Sequence, residues 1–139
     1  MKAAIRYYTR SGNTEALARA IEEAVGMLSE TVAAPLTEHT DILFLGCSYY
    51  AFDVDDAVKH FIQENKDRIG TIVCFGTSAM MHSIHKPMEN VCRDAGVTLS
   101  DREFHCRGSF GPLHKGRPNG EDLKKAAEFS RGILKEFSL

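Results

Sequence analysis

Tyr7-Tyr8-Thr9-Arg10-Ser11-Gly12-Asn13-Thr14-Glu15 is the stretch on which the reading of this chain turns. Apolar Ala3-Ala4-Ile5 runs into it as a strand, and Ala16-Leu17-Ala18 with Ala20-Ile21 continues from it at helical spacing. A turn in this setting points backbone N–H groups along the start of a helix. There the dipole is positive and the first donors have no intrahelical acceptor. Thr9, Ser11 and Thr14 add hydroxyl donors, and Gly12 lets the backbone come close to an anion. Such a turn is a phosphate cradle. No Lys follows the glycine with GxxxxGK[ST] spacing, and the GxGxxG of dinucleotide folds is missing. Donors of this kind suit a phosphate monoester better than a metal-bound triphosphate. Ser11 and Asn13 also read as simple helix caps, but their place after the first strand of an α/β pattern favours phosphate.

Near-continuous apolar runs at 2–8, 41–47 and 71–76, with a fourth run at 98–106, predict strands covered on both faces. A weaker fifth strand is expected at 31–34. Between them the period turns helical. Leu17, Ile21, Ala24, Val25 and Leu28 form one stripe, and Val54, Ala57, Val58, Phe61 and Ile62 a second. Ile84, Met88, Val91, Cys92 and Ala95 form a third, and Leu123, Ala126, Ala127, Ile133, Leu134 and Phe137 a fourth. Gly26, Gly70, Gly96 and the 116–120 stretch fall at the boundaries. This alternation predicts an α/β, doubly wound sandwich whose ligand sits at the carboxyl ends of the strands. The 139 residues are read as one domain, 1–139.

Hydrophobic residues make up 43% and charged residues 26%, the proportions of a soluble globular protein. A formal charge of −2 indicates neither a nucleic-acid groove nor a polybasic membrane patch. No segment is long and apolar enough for a membrane span or a secretory leader, so a cytoplasmic location is expected. Cys47, Cys74, Cys92 and Cys106 form no CxxC pair or zinc spacing and are read as reduced thiols. None is followed by five residues and then Arg, which removes the loop of low-molecular-weight tyrosine phosphatases. His82 and His85 have i, i+3 spacing, but no further ligands stand at a recognisable interval, so surface histidines and no metal are expected. No order or spacing supports a Ser-His-Asp, paired-carboxylate or Cys-His centre, and no catalytic residue is assigned.

Thr9-Arg10-Ser11-Gly12-Asn13-Thr14 resembles the [ST]-x-[ST]-G-[NT]-T loop with which flavodoxins hold the phosphate of FMN. The resemblance, to a short-chain flavodoxin, extends over nearly the whole chain. It implies a flavodoxin-like five-stranded parallel sheet of order 2-1-3-4-5 with helices on both faces. It also implies FMN as cofactor, with Thr9, Arg10, Ser11, Gly12, Asn13 and Thr14 around the phosphate. The loops at the next strand ends then supply the ring site. Ser48-Tyr49-Tyr50-Ala51-Phe52-Asp53 carries three aromatics in four residues beyond a strand, ahead of a helix expected from Val54. A planar, electron-poor isoalloxazine is a natural partner for such rings. Tyr50 is the chosen ring contact, with Phe52 behind it.

After Phe75-Gly76, the small and hydroxylated Thr77, Ser78 and Ala79 let a flavin approach and bond its pyrimidine edge to the backbone. Met80 and Met81 either pack on the ring or fill gaps in the core. Flavodoxins often place an aromatic and an acidic residue here, and this chain has neither. Arg107 and Gly108, ending the last strand, also face the switch point. Arg107 reads equally as a phosphate or substrate contact and as a solvated side chain.

The resemblance implies an electron carrier that moves low-potential electrons between a reductase donor and an acceptor enzyme. Two departures weigh against a pure shuttle. No Gly stands in Ala51-Phe52-Asp53 to ease the peptide flip that meets flavin N5, and −2 offers limited steering toward a basic partner. An FMN-dependent NAD(P)H:quinone-type reductase and a flavin-free binding module are the alternatives.

Overall fold

The computed structural model describes residues 1–50, 53–78, 83–109 and 114–138, without the side chains of residues 48–50. The elements run β1 (Ala3–Tyr7), α1 (Asn13–Val25), β2 (Ser29–Thr31), β3 (Thr40–Tyr50), β4 (Asp53–Val54) and α2 (Asp56–Asn65). A 3-10 turn (Lys66–Arg68) leads to β5 (Ile69–Ser78), α3 (His85–Ala95), β6 (Thr98–Arg107) and α4 (Gly120–Phe137). The sheet order is β2-β1-β3-β5-β6, every neighbour parallel. With the two-residue β4 set aside, this is the expected 2-1-3-4-5 order.

The central strands show why their apolar runs are unbroken: each face has its own core. Ile42 and Phe44 of β3, with Val73 and Phe75 of β5, pack with Leu17, Ala18 and Ile21 of α1 and Ala126 and Ile133 of α4. Leu43, Leu45, Ile72 and Cys74 point the other way, into Val58, Phe61 and Ile62 of α2 and Met88 and Cys92 of α3. Successive side chains of a strand alternate faces, so only a run apolar at every position can fill both cores. Each fully buried large side chain is worth about 1.5–3 kcal/mol. The helical stripes face the two cores except at their ends: Leu28 falls beyond α1 and is 81% exposed, Val54 lies in β4, and Phe137 is exposed.

Several boundaries differ: β3 runs on to Tyr50, and β5 spans Ile69–Ser78, which puts Gly70 inside a strand. The second helix starts at Asp56, not Val54, because residues 53–54 turn back as β4 against the end of β3, with Tyr49 opposite Val54 and Tyr50 opposite Asp53. Asp53 ties β4 to α2: its Oδ1 accepts the Val54 N–H at 2.7 Å and its Oδ2 accepts from Lys59 Nζ at 2.7 Å. The edge strand lies at Ser29–Thr31, not 31–34.

The chain returns from β2 to β3 in residues 32–39 without a helix. A crossover between parallel strands usually takes a dozen or more residues and includes a helix, and this one also passes β1, which lies between β2 and β3. Arg6 of β1, 8% exposed, takes over the work of holding this short crossover. Its Nε donates to the Ala34 carbonyl at 2.9 Å, its Nη2 to the Pro35 carbonyl at 3.3 Å and its Nη1 to the Ile5 carbonyl at 3.1 Å. Asn65, buried at the end of α2, accepts the Leu36 N–H at 2.9 Å. No helix among the described residues is long and apolar enough to cross a membrane.

Candidate functional site at the carboxyl edge of the sheet

The first loop leaves β1 and turns into α1 through Gly12, whose φ of 90° only glycine adopts without strain. A Cβ there would meet nothing within 4 Å, so the turn opens outward. Thr9 Oγ1 accepts the Gly12 N–H at 2.9 Å and keeps its own O–H to donate. The helix-cap reading of Ser11 and Asn13 fails: Gly12 is the N-cap residue, and no side chain caps α1. Ser11 is exposed. Asn13 turns away, its Nδ2 donating to the Ser109 carbonyl at 3.0 Å. Thr14 is fully buried, its methyl close to Gly46 of β3.

The other strand ends meet this loop. Parallel register sets Ser48, Thr77 and Cys106 in one row across β3, β5 and β6, while the Tyr8 N–H bonds the Gly46 carbonyl at 3.0 Å. Thr77 and Ser78 are the buried last residues of β5, and Ser78 Oγ stands 3.2 Å from His105 Nε2. Gly108 is a close-packing point. A Cβ on it would lie 2.9 Å from Asn13 Nδ2 and equally close to Thr77 Cβ and Oγ1. The structure thus brings Thr9 to Thr14, the backbone of Ser48 to Tyr50, and Thr77, Ser78, Arg107 and Gly108 to one edge. Asp53 joins the same edge, but its carboxylate is spent on Val54 and Lys59. Ala51, Phe52, Ala79, Met80, Met81 and His82 lie outside the described residues. His85 opens α3 and faces Glu89, 3.4 Å away.

Three groups of partners were not singled out from the sequence: Ser109, the Arg117, Asn119 and Asp122 cluster, and Asp55. Ser109 anchors Asn13, and its own N–H bonds the Arg117 carbonyl at 2.9 Å. Arg117 in turn grips Asp122 through Nε at 2.5 Å and Nη2 at 2.8 Å, and Asp122 closes a capping box with Asn119 at the start of α4. The third is Asp55. Its signal was hidden in the acidic run Asp53-Val54-Asp55-Asp56, which reads as an ordinary helix start.

Burial pulls the Asp122 carboxyl upward, but the bonds from Arg117 and the Asn119 N–H outweigh it and hold the group below its usual range. A depressed folded value stabilises above the unfolded carboxylate range and is lost as pH falls through the folded one. Urea unfolding from pH 7 to pH 3 should therefore show wild type losing more stability below about pH 4 than Asp122→Asn does. Parallel curves would refute the role of this pair.

All four cysteines are free and buried. Burial pushes the Cys47 and Cys106 thiols up to about 12 and Cys92 to about 11, so none is a nucleophile near neutral pH. No group of three or more His, Cys, Asp or Glu among the described residues is arranged to hold a metal.

No family model matches the chain. An uncharacterized protein of Methanocaldococcus jannaschii is 27% identical over 150 residues, spanning 97% of this chain and 99% of its own length. Among solved structures, a flavodoxin from the domain Archaea superposes with a TM-score of 0.76 at 16% identity, each chain covered completely. A flavoprotein of Lactobacillus acidophilus solved in complex with FMN gives 0.58 at 17% identity, over 76% of this chain and 92% of its own. With the sheet order and the paired cores, these likenesses establish that the chain has the flavodoxin-like fold.

Proposed function

We propose that this chain binds FMN at the carboxyl edge of its sheet and passes electrons between redox proteins, a reductase as donor and an enzyme as acceptor. The observation that carries the reading is the first loop: a left-handed Gly12 opens onto empty space at the start of a helix that no side chain caps. Backbone N–H groups at such a start, with the Thr9 and Ser11 hydroxyls beside them, fit a phosphate monoester. The chemistry of this donor set suits FMN and not FAD, because the cradle takes a terminal phosphate. The likeness to a flavoprotein solved with FMN points the same way.

When bound, FMN supplies the redox chemistry, and the protein positions it and controls access to it. Thr9, Ser11 and Thr14 would hold the phosphate, with the backbone of residues 10–14. Tyr50, at the end of β3, would contact the ring, and Thr77 and Ser78 would offer backbone groups to its pyrimidine edge. Asn13 and Gly108 act as props, fixing the first loop to the end of β6. The four free thiols fit a reducing compartment such as the cytoplasm.

The net charge of −2 offers a shuttle little charge complementarity to a basic partner, and this favours an FMN-dependent reductase as the second reading. One experiment separates the three readings. Titrating the protein into FMN should quench flavin fluorescence and shift the visible spectrum; no change at any concentration would leave a flavin-free binding module. Adding NADPH and a quinone to the FMN-loaded protein should then give no rapid turnover. Fast turnover would overturn the shuttle in favour of the reductase.

A further inference from the structure

Asp55, beside the first loop, carries one of three buried side-chain atoms without a hydrogen-bond partner among the described residues. Its side chain is 3% exposed, yet only one carboxylate oxygen is engaged. Arg10 Nε and Nη2 both donate to Oδ1, at 3.0 and 2.7 Å. Oδ2 is buried with no hydrogen-bond partner. Asp55 is the N-cap residue of α2, where a carboxylate commonly takes one of the first N–H groups, but its side chain takes none of them. A bare, buried carboxylate oxygen is expensive, so a donor from outside the chain is its natural partner.

The surroundings limit what that donor is. Arg10 belongs to the loop assigned to the phosphate. On the other side, Val54 of β4 pairs with Tyr49 in the hairpin assigned to the ring. Asp55 therefore stands where the two halves of the site join. An anionic oxygen repels phosphate and accepts only from O–H or N–H groups. Between the phosphate and the ring of FMN runs a polyol chain bearing hydroxyl donors.

Resting on the flavin reading above, we infer that Asp55 Oδ2 accepts a hydrogen bond from a hydroxyl of the flavin's polyol chain. Arg10 neutralises the carboxylate toward the phosphate and ties the two loops together. Asp55 then selects for the chain that links phosphate to ring, a choice that neither the phosphate cradle nor the aromatic hairpin makes.

The test compares riboflavin with lumiflavin, which carries a methyl group in place of the polyol, by fluorescence titration of wild type, Asp55→Asn and Asp55→Ala. Wild type should prefer riboflavin. Asp55→Ala should weaken riboflavin by about tenfold to a hundredfold and leave lumiflavin within about threefold. Asp55→Asn, which keeps the shape and a bond to Arg10 and so stays folded where Ala fails, should weaken riboflavin by a smaller factor. Equal losses for both flavins, or none for riboflavin in Asp55→Asn, would overturn the proposal and leave Asp55 as a tether. Wild type binding neither flavin nor FMN would instead overturn the flavin reading itself.

Discussion

Ser11→Ala combined with Thr14→Ala should lower FMN affinity by about two to four orders of magnitude and leave riboflavin affinity nearly unchanged. Each hydroxyl donated to an anion is worth about 1.5–3 kcal/mol, and the two lie on one loop. The sites differ in how cleanly they can be cut. Ser11 is exposed, so its replacement removes little but the hydroxyl. Thr14 is fully buried with its methyl near Gly46, so alanine also loosens packing between α1 and β3. Thr14→Val keeps the methyl and removes the hydroxyl, so it serves as the control; alone it should reproduce the Thr14 share of the loss, about one to two orders of magnitude in FMN affinity. Fluorescence titration with both ligands reads the result, and equal losses for FMN and riboflavin would refute the phosphate assignment.

Arg6→Met should destabilise the fold by about 2–5 kcal/mol, a large share of the ~5–15 kcal/mol typical of a domain. Met fills much of the arginine's volume, so the loss comes from the Ile5, Ala34 and Pro35 carbonyls, which lose their donors in a region with no helix to cover them. Glu30 lies 3.2 Å from the guanidinium but is 54% exposed, and Glu30→Gln should cost no more than about 1 kcal/mol. Urea denaturation gives both numbers. A fall of similar size in the two variants would mean that the ion pair, and not the carbonyl anchoring, holds the crossover.

Acid sensitivity at Asp122 and ligand selection at Asp55 share a cause that a linear reading misses. Arg117 and Asp122 are close in the chain, but their use depends on Ser109 meeting the Arg117 carbonyl and Asn13 reaching Ser109 from 96 positions away. Arg10 and Asp55 are 45 positions apart. Nothing in the local pattern of either residue distinguishes it from a solvated charge beside a helix. Burial and partner, which give each its role, exist only after the sheet has assembled.

The architecture, by contrast, was written in short-range patterns. Unbroken apolar runs such as Ile42-Leu43-Phe44-Leu45 demand cover on both faces, and four helical stripes supply it, so a doubly wound sheet follows from periodicity alone. The place of the first loop was equally legible, because a glycine among hydroxyl residues after an apolar run marks a turn from strand to helix, and Gly12 makes that turn with a φ of 90°. What the tertiary structure alone decided were the choices left open by weak local preference. Tyr49 and Tyr50 extend β3 because β4 is there to pair with them, and that moves the start of α2 to Asp56. Residues 32–39 dispense with a helix because a buried arginine from a neighbouring strand satisfies their carbonyls. Asn13 serves as a strut and not a cap because β6 ends within its reach. In each case the local energies are close to balanced, and a partner distant in sequence tips them.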